Sequence, residues 1–349
     1  MVSQKKSKVN TSMVNFEDIS VVVQGSIKDS LTQACLLSIR RHLPQSEIIL
    51  STWEGSVTDG FDYDILILSK DPGFFLCGDF LGAAQNNINR QIKTTLCGLQ
   101  KSTRRYVLKL RSDFILTGCN FLNFYGKFPF ADIDYKIFSY KIMSCVFFAR
   151  NSRFPDTFLF HPSDIAFFGL RTDLLNLFDI RSMEKEEEAY LRIEQYEYCR
   201  YVPEQHIWIN CLRKNGKEIG FEHQKDISEK AIEDTEKYAV SNFVYLDWVQ
   251  FSLIPPKHLV TFVDNDLANV ITHIEWQRLY QKYLDNSLIV SDRDPLREFI
   301  DRKIWAFKIC KIFARLVTVC FRAKQLEAFR EKAMNKIVRC LMRNACVPY

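Results

Sequence analysis

The run Ile19-Ser20-Val21-Val22-Val23-Gln24-Gly25 decides the fold. It is apolar and β-branched at consecutive positions, as in a strand buried on both faces, and Gln24-Gly25 closes it. A helix over about residues 29–43 follows, because Leu31, Ala34, Cys35 and Ile39 recur at helical spacing and Pro44 stops it. Residues 47–52 and 64–69 read as the second and third strands, residues 86–102 as a helix, and residues 106–110 as the fourth strand. Strands alternating with helices call for an α/β fold with a mostly parallel sheet and right-handed crossovers.

Farther along, Phe167-Phe168-Gly169-Leu170 has a strand pattern and residues 204–214 a helical one. The charge-rich stretch 183–197 reads as a solvated helix face, and 215–265 as strand and loop closing the domain. The expected division is a flexible N-terminus over 1–17, an α/β domain over 18–265 and a helical, basic extension over 266–349.

Ligands of such sheets bind beyond the carboxyl ends of the strands. That directs attention to Gln24-Gly25, Thr52-Trp53-Glu54-Gly55, Asp71-Pro72-Gly73 and Arg111-Ser112-Asp113. Gly25 permits close backbone approach and Gln24 offers an amide, although a glycine after a strand is commonly only a turn. Trp53 offers a stacking surface and Glu54 an acceptor for hydroxyls, or Trp53 simply covers the sheet edge. Lys109, Arg111 and Asp113 alternate at the end of an apolar strand, where charge is costly without a partner. They are either an internal ion pair or a site where a carboxylate holds Mg²⁺ or Mn²⁺ and the cations meet phosphate. Arg90, near a helix start, is placed for a phosphate or is a polar first-turn residue. Asp164 and Glu204 each precede an apolar element and each is a candidate general base; otherwise Asp164 is a helix or turn cap and Glu204 a first-turn helix acid favoured by the dipole.

Composition narrows the classes. Of the 349 residues 47% are hydrophobic, with 12 Gly and 10 Pro, which suits a globular chain with a full core. The net charge of +5 is unevenly spread: residues 301–349 carry twelve Lys or Arg against three Asp or Glu, leaving −4 on the rest. That distribution excludes a uniformly basic nucleic-acid binder. The 11 cysteines show no CxxC pair and no disulfide rhythm, so reduced, buried thiols are expected and a zinc site is not. No Walker loop, nucleophile elbow or dinucleotide fingerprint is present. The first ten residues lack an apolar stretch of signal-peptide type, and no run of about 18 uncharged apolar residues exists.

Over 303–322, Lys308, Lys311, Arg315 and Arg322 form one cationic stripe beside Trp305, Phe307, Phe313 and Val317 on a helix. This is the pattern of a helix lying on an anionic membrane surface, or of one packed on the main domain with solvated lysines.

The ordered series Val22-Val23-Gln24-Gly25, Ser51-Thr52-Trp53-Glu54-Gly55, Asp71-Pro72-Gly73, Asn89-Arg90-Gln91, Leu108 through Asp113 and Ser163-Asp164 through Leu170 resembles the WavE lipopolysaccharide synthesis family. The resemblance covers roughly residues 19–215 and rests on the joint order of the motifs. It implies a GT-A-like glycosyltransferase that uses a nucleotide-sugar donor and a glycan or lipid-linked acceptor. It further implies a cytoplasmic location, peripheral on the inner face of the membrane. Gln24, Gly25, Thr52, Trp53, Glu54, Arg90, Lys109 and Arg111 are then the donor side, Asp113 the ligand of Mn²⁺ or Mg²⁺, and Asp164 and Glu204 the catalytic acids. Arg111 stands where many GT-A enzymes have an acid, so Lys109 and Arg111 are alternatives to the metal for the diphosphate. The rival readings are a nucleotidyltransferase acting on sugar phosphates and a non-catalytic carbohydrate-binding protein.

Overall fold

The computed structural model describes residues 14–320 except 80–81, 156, 185–189, 194–195 and 255–267. Its centre is a seven-stranded sheet: β1 (Ile19–Gln24), β2 (Glu47–Trp53), β3 (Ile65–Ser69), β4 (Tyr106–Arg111), β5 (Ile142–Cys145), β6 (Ala166–Leu170) and β7 (Phe243–Leu246). The spatial order is β7-β5-β6-β4-β1-β2-β3. All neighbours pair in parallel except β6, which runs antiparallel to both β4 and β5. The expected α/β, mostly parallel sheet is therefore present.

β1 lies inside the sheet between β4 and β2, and all six of its residues are buried. Parallel strands covered on both faces need continuous apolar runs, which is why Val21-Val22-Val23 belongs there. The first crossover is α1 (Ser30–His42), which ends immediately before Leu43-Pro44. The next long helix, α2 (Ile88–Lys101), lies against β1 and β2. Ser51 Oγ donates to Thr94 O at 2.7 Å across that contact. Gly98 of α2 faces Val22, and a Cβ there would collide with Val22 Cγ1.

Four later helices complete the surroundings of the sheet: α3 (Arg171–Phe178), α4 (Pro203–Lys214), α5 (Glu229–Asn242) and the single turn α6 (Trp248–Phe251). They are followed by α7 (His273–Tyr283) and α8 (Pro295–Cys320). The chain forms two compact units, Met1–Pro256 with Val270–Ser291 and Lys257–Asn269 with Asp292–Tyr349. In the first, α7 is tied in by Tyr280 Oη, which accepts from Phe130 N at 2.9 Å. In the second, Arg297 donates to Ala268 O at 2.8 Å at the start of α8.

Four expectations need correction. The segment before α2 is a hairpin, Phe75–Asp79 paired antiparallel with Gly82–Asn86, so the helix starts at Ile88. The charge-rich stretch is β structure where it is described: Tyr190–Ile193 pairs antiparallel with Tyr196–Cys199. Alternation of Tyr, Leu, Arg and Ile outweighs the preceding glutamates there. Residues 215–265 contain α5, capped by Ser228, whose side chain accepts from Ala231 N. Its buried stripe of Ala231, Thr235, Tyr238 and Ala239 is built from small and polar residues, so hydropathy alone conceals it. Cys199 is disulfide-bonded, against the expectation of reduced thiols, whereas Cys35, Cys97, Cys119, Cys145 and Cys211 are free.

The packing of α2 on β1 gives a direct test. Gly98→Ala is expected to destabilise the protein by about 1–3 kcal/mol through overpacking, read as a lower urea midpoint at unchanged slope. An unchanged midpoint would show that Val22 has room to turn away.

Candidate active site

β1 and β4 end level with one another and β2 runs two residues farther, to Trp53: Gln24 pairs with Ser51 on one side and with Arg111 on the other. Gly25 N donates to Ser51 O at 3.1 Å, and Ser112 N donates to Gln24 O at 3.0 Å. Gly25 has φ +118° and a Cβ there would sit 3.4 Å from Ser112 Oγ, so this turn is suited to glycine. Ser112 Oγ donates to Ser26 O at 2.7 Å, and Trp53 Nε1 reaches Ser26 Oγ at 3.3 Å. Trp53 and Arg111-Ser112-Asp113 thus share one rim.

The other donor-side candidates are placed as follows. Gln24 is buried, and its side-chain Oε1 accepts from Thr94 Oγ1 at 2.9 Å, toward α2. Thr52 is buried with Oγ1 3.3 Å from Ser56 Oγ, and Glu54 is exposed. Arg90 is held by Asp71 through two hydrogen bonds, at 2.8 and 2.6 Å, and by Asn87 at 2.9 Å. Its guanidinium lies 5.1 Å from the Phe74 ring centroid. That hydrogen bonding keeps the Asp71 carboxyl below the usual carboxylate range.

Lys109, Arg111 and Asp113 separate by depth. Lys109 is wholly buried; its ammonium donates to Asp164 O and lies 5.8 and 5.9 Å from the Phe167 and Phe178 ring centroids. Burial pushes its pKa down to about 8, against the pull of Asp164. Arg111 reaches the rim, with Nε 3.3 Å from Asp113 Oδ1 and a terminal nitrogen 3.8 Å from Asp164 Oδ2. Asp113 lies two residues beyond the strand and is buried.

The reversal of β6 brings in the second acid. Ala166 is opposite Leu110, so Asp164, just before β6, arrives beside the end of β4. A parallel strand at this position would have carried it to the opposite edge. Burial raises the Asp164 carboxyl, and Glu204 raises it further, while Arg111, Lys109 and His161 act the other way. Glu204 is in the first turn of α4, directly after Pro203. Burial alone would raise it too, but His161 Nε2, 3.4 Å from Oε2, holds it at about 2. The two carboxyls therefore differ in proton affinity, as an acid–base pair must.

His161 belongs to this cluster, and nothing in the sequence placed it there. The visible signal was His161-Pro162-Ser163-Asp164, whose histidine lacked a partner at helical spacing and whose real partner is on a distant helix. The adjoining backbone is strained: Phe148, Phe160 and Ser163 have φ of 65°, 52° and 72°. Left-handed conformations at such residues cost about 1–3 kcal/mol each and gather at functional sites. A cavity of about 600 Å³ lined by Phe16, Gln45, Cys119 and Asn123 lies at the amino ends of β1 and β2, away from this rim.

Among the described residues no three His, Cys, Asp or Glu side chains converge on a metal position. Asp113 already accepts from Arg111. The donor set does not fit an ion held by the protein alone.

A family model described as WavE lipopolysaccharide synthesis matches residues 19–309, well over half of the chain. The chain belongs to this WavE family. No curated protein matches it. A crystal structure of residues 1–349 of TarS from S. aureus is similar at 11% identity over 93% of this chain and 80% of that one, with a TM-score of 0.31. The rim described above falls within the stretch that carries the WavE match.

The depressed Glu204 carboxyl has a pH signature. Its folded pKa is below the unfolded one, so its stabilisation is present above about pH 4.5 and is lost as the pH falls toward 2. Glu204→Gln should remove that acid-side loss, on the order of 1–3 kcal/mol, in denaturant midpoints measured from pH 6 to 2. Asp164, raised by burial, acts oppositely, contributing a cost as the pH climbs through its own titration.

Proposed function

We propose that this WavE-family protein is a glycosyltransferase that moves a sugar from a nucleotide donor to a glycan or lipid-linked acceptor. The observation that carries the reading is the meeting of Trp53, Arg111, Asp113 and Asp164 at one carboxyl rim, with a buried cation beside a carboxyl of raised proton affinity. Trp53 provides a face for the nucleotide base. Arg111 offers charge-assisted hydrogen bonds to the diphosphate, whose negative charge grows as the sugar leaves. Lys109 contributes positive potential from beneath. Asp164 takes the proton of the acceptor hydroxyl: its carboxyl is raised toward the working range, whereas Glu204 is held too low to retain a proton. Glu204 and His161 bias Asp164 electrostatically.

Mn²⁺ or Mg²⁺ at Asp113 would add Lewis-acid neutralisation of the diphosphate. Arg111 contacts one oxygen of that carboxylate, Oδ1 at 3.3 Å, and is itself the group that meets the diphosphate charge. Gln24, Gly25, Thr52 and Glu54 shape the donor wall, and Arg90 meets a phosphate only by exchanging Asp71 for it.

Among the described residues no helix is long and apolar enough to cross a membrane. Trp305, at the start of the stripe, is 66% exposed and Lys308 is exposed, which suits contact with an anionic inner leaflet where a lipid-linked acceptor would lie. Arg322 lies outside the described residues.

A thermal-shift screen of nucleotide sugars, with Mn²⁺ or with chelator, should identify a donor whose shift survives chelation and weakens in Trp53→Ala. With that donor the protein should release nucleoside diphosphate. Asp164→Asn should lower kcat about 10²–10⁴-fold with donor KM changed only a few-fold. Release of pyrophosphate would replace the proposal with nucleotidyl transfer. A donor shift without turnover would leave a binding protein.

Liposome co-sedimentation tests the membrane contact separately. Full-length protein should partition onto anionic vesicles more than a Trp305→Ser/Lys308→Glu variant, and equal partitioning would remove the idea.

A further inference from the structure

The amino edge of the sheet holds a group of side chains that the rim chemistry does not use. β4 and β5 are both antiparallel to β6, so they run the same way, and Lys141, directly before β5, stands at the edge opposite the Arg111 rim. β7 pairs with β5 and follows directly on α5, which brings Ser241 from the end of that helix to the same place. There lies a cavity of about 270 Å³ whose walls include the polar residues Lys136, Ser139, Lys141 and Ser241 and the apolar residues Phe128 and Met143. Among the described residues no Asp, Glu, His or Cys lines it.

Lys141 is a buried cation with no acid beside it. It is 9% exposed. Its ammonium donates to Val240 O, in the last turn of α5, and lies 5.4 Å from the ring centroid of Tyr280 on α7. A helix end and an aromatic face both favour a cation. They use one of its three protons, and the other two meet no acceptor among the described residues. Burial, and then the positive charge of Lys136, hold its pKa well below the usual lysine range. Ser241 is 2% exposed; its Oγ accepts from Asp132 N at 3.4 Å, and its own hydrogen meets no acceptor among the described residues either. Asp173 holds the loop before Lys141, accepting from Ser139 N at 2.9 Å and Tyr140 N at 3.0 Å, but it is not part of the cavity wall. Buried donors without acceptors are uncommon, and a buried charge without a counter-charge is costlier still. An anion in the cavity would satisfy both.

We propose that this cavity binds the phosphate group of a small molecule, held by Lys141 and Ser241 and drawn by the added charge of Lys136. Two ammonium groups match the charge of about −1.5 to −2 that a phosphate monoester carries near neutral pH, which a carboxylate does not. The bound anion in turn favours the charged form of Lys141. The volume is close to the lower end of the roughly 300–1,000 Å³ usual for small-molecule sites, so a compact organic group fits beside the phosphate, against Phe128 and Met143. Free phosphate is the other source of the same chemistry. The site is a binding site at the far edge of the sheet and does not rest on the glycosyltransferase reading.

Isothermal titration calorimetry on the full chain tests it, with inorganic phosphate and glucose 6-phosphate as probes in chloride buffer of matched ionic strength. Both should bind the wild-type protein. Lys141→Met should weaken binding about tenfold or more, and Ser241→Ala and Lys136→Met a few-fold each. Tighter binding of the ester identifies an organic phosphate as the ligand, and equal binding identifies phosphate itself. A crystal of the full chain soaked in tungstate should show the ion against Lys141 Nζ and Ser241 Oγ. If Lys141 only closes the end of α5, Lys141→Met lowers the melting temperature equally with and without phosphate and leaves the affinity as in wild type, which overturns the proposal. Absence of phosphate binding in solution overturns it too, a tungstate peak then being an adventitious ion only, as does tungstate found only at the Arg111 rim. Should Lys141→Met not fold, Ser241→Ala and Lys136→Met decide the matter, and undiminished affinity in both removes the site.

Discussion

Burying positive charge at the end of a central strand is the constraint around which this protein is arranged. β4 carries Lys109 and Arg111 into the middle of the sheet, where Lys109 is almost wholly removed from solvent. Charges so placed stay only if partners meet them, since removing one member of a buried pair costs about 3–5 kcal/mol. The partners come from three separate places in the chain. Asp113 follows β4, Asp164 precedes β6, and Glu204 opens α4. The antiparallel direction of β6 is thus an electrostatic requirement as well as a topological feature, because it delivers Asp164 to the same edge as Arg111.

The same arrangement explains why the two acids behave differently. Both are buried, and burial raises both. Glu204 has a close histidine and a helix start, which favour its charged form. Asp164 has a guanidinium at 3.8 Å and a carboxylate nearby, so compensation is weaker and the proton is held more tightly. One ion-pair network thereby produces a carboxyl suited to accepting a proton and another that remains charged. The strained turns at Phe148, Phe160 and Ser163 surround this network, consistent with backbone held out of its preferred state to keep side chains in place.

How far the sequence reaches depends on the range of each interaction. The β1, α1, β2, β3, α2 and β4 elements were legible because periodicity and stop signals are local, and Pro44 or Gly25 acts within a few residues. The rim was legible as far as strand ends imply it, which put Trp53 and Arg111 together. α5 was missed because its buried face is made of Ala, Thr and Tyr, and the charge-rich segment was misread because alternation over only four residues decides it. Pairings across long separations left no local trace. Arg90 with Asp71 and His161 with Glu204 are contacts of this kind, and each changes what the named residue is free to do.

That limit bears on the chemistry. Arg-Ser-Asp read in isolation looks like a metal motif with one position altered, whereas in three dimensions Arg111 contacts one oxygen of the carboxylate that the metal would use. The substitution and the contact are one fact seen twice: a basic residue two positions before an acid, at the end of a strand, folds back onto it. A guanidinium fixed in this way supplies lasting positive charge at the point where a diphosphate would leave, without having to be recruited from solution. Behind it lie Asp164 and Glu204, two buried carboxyls of unequal proton affinity. The cationic rim and the acids behind it are thus tied together by the one residue that ends β4, since Arg111 contacts both Asp113 and Asp164.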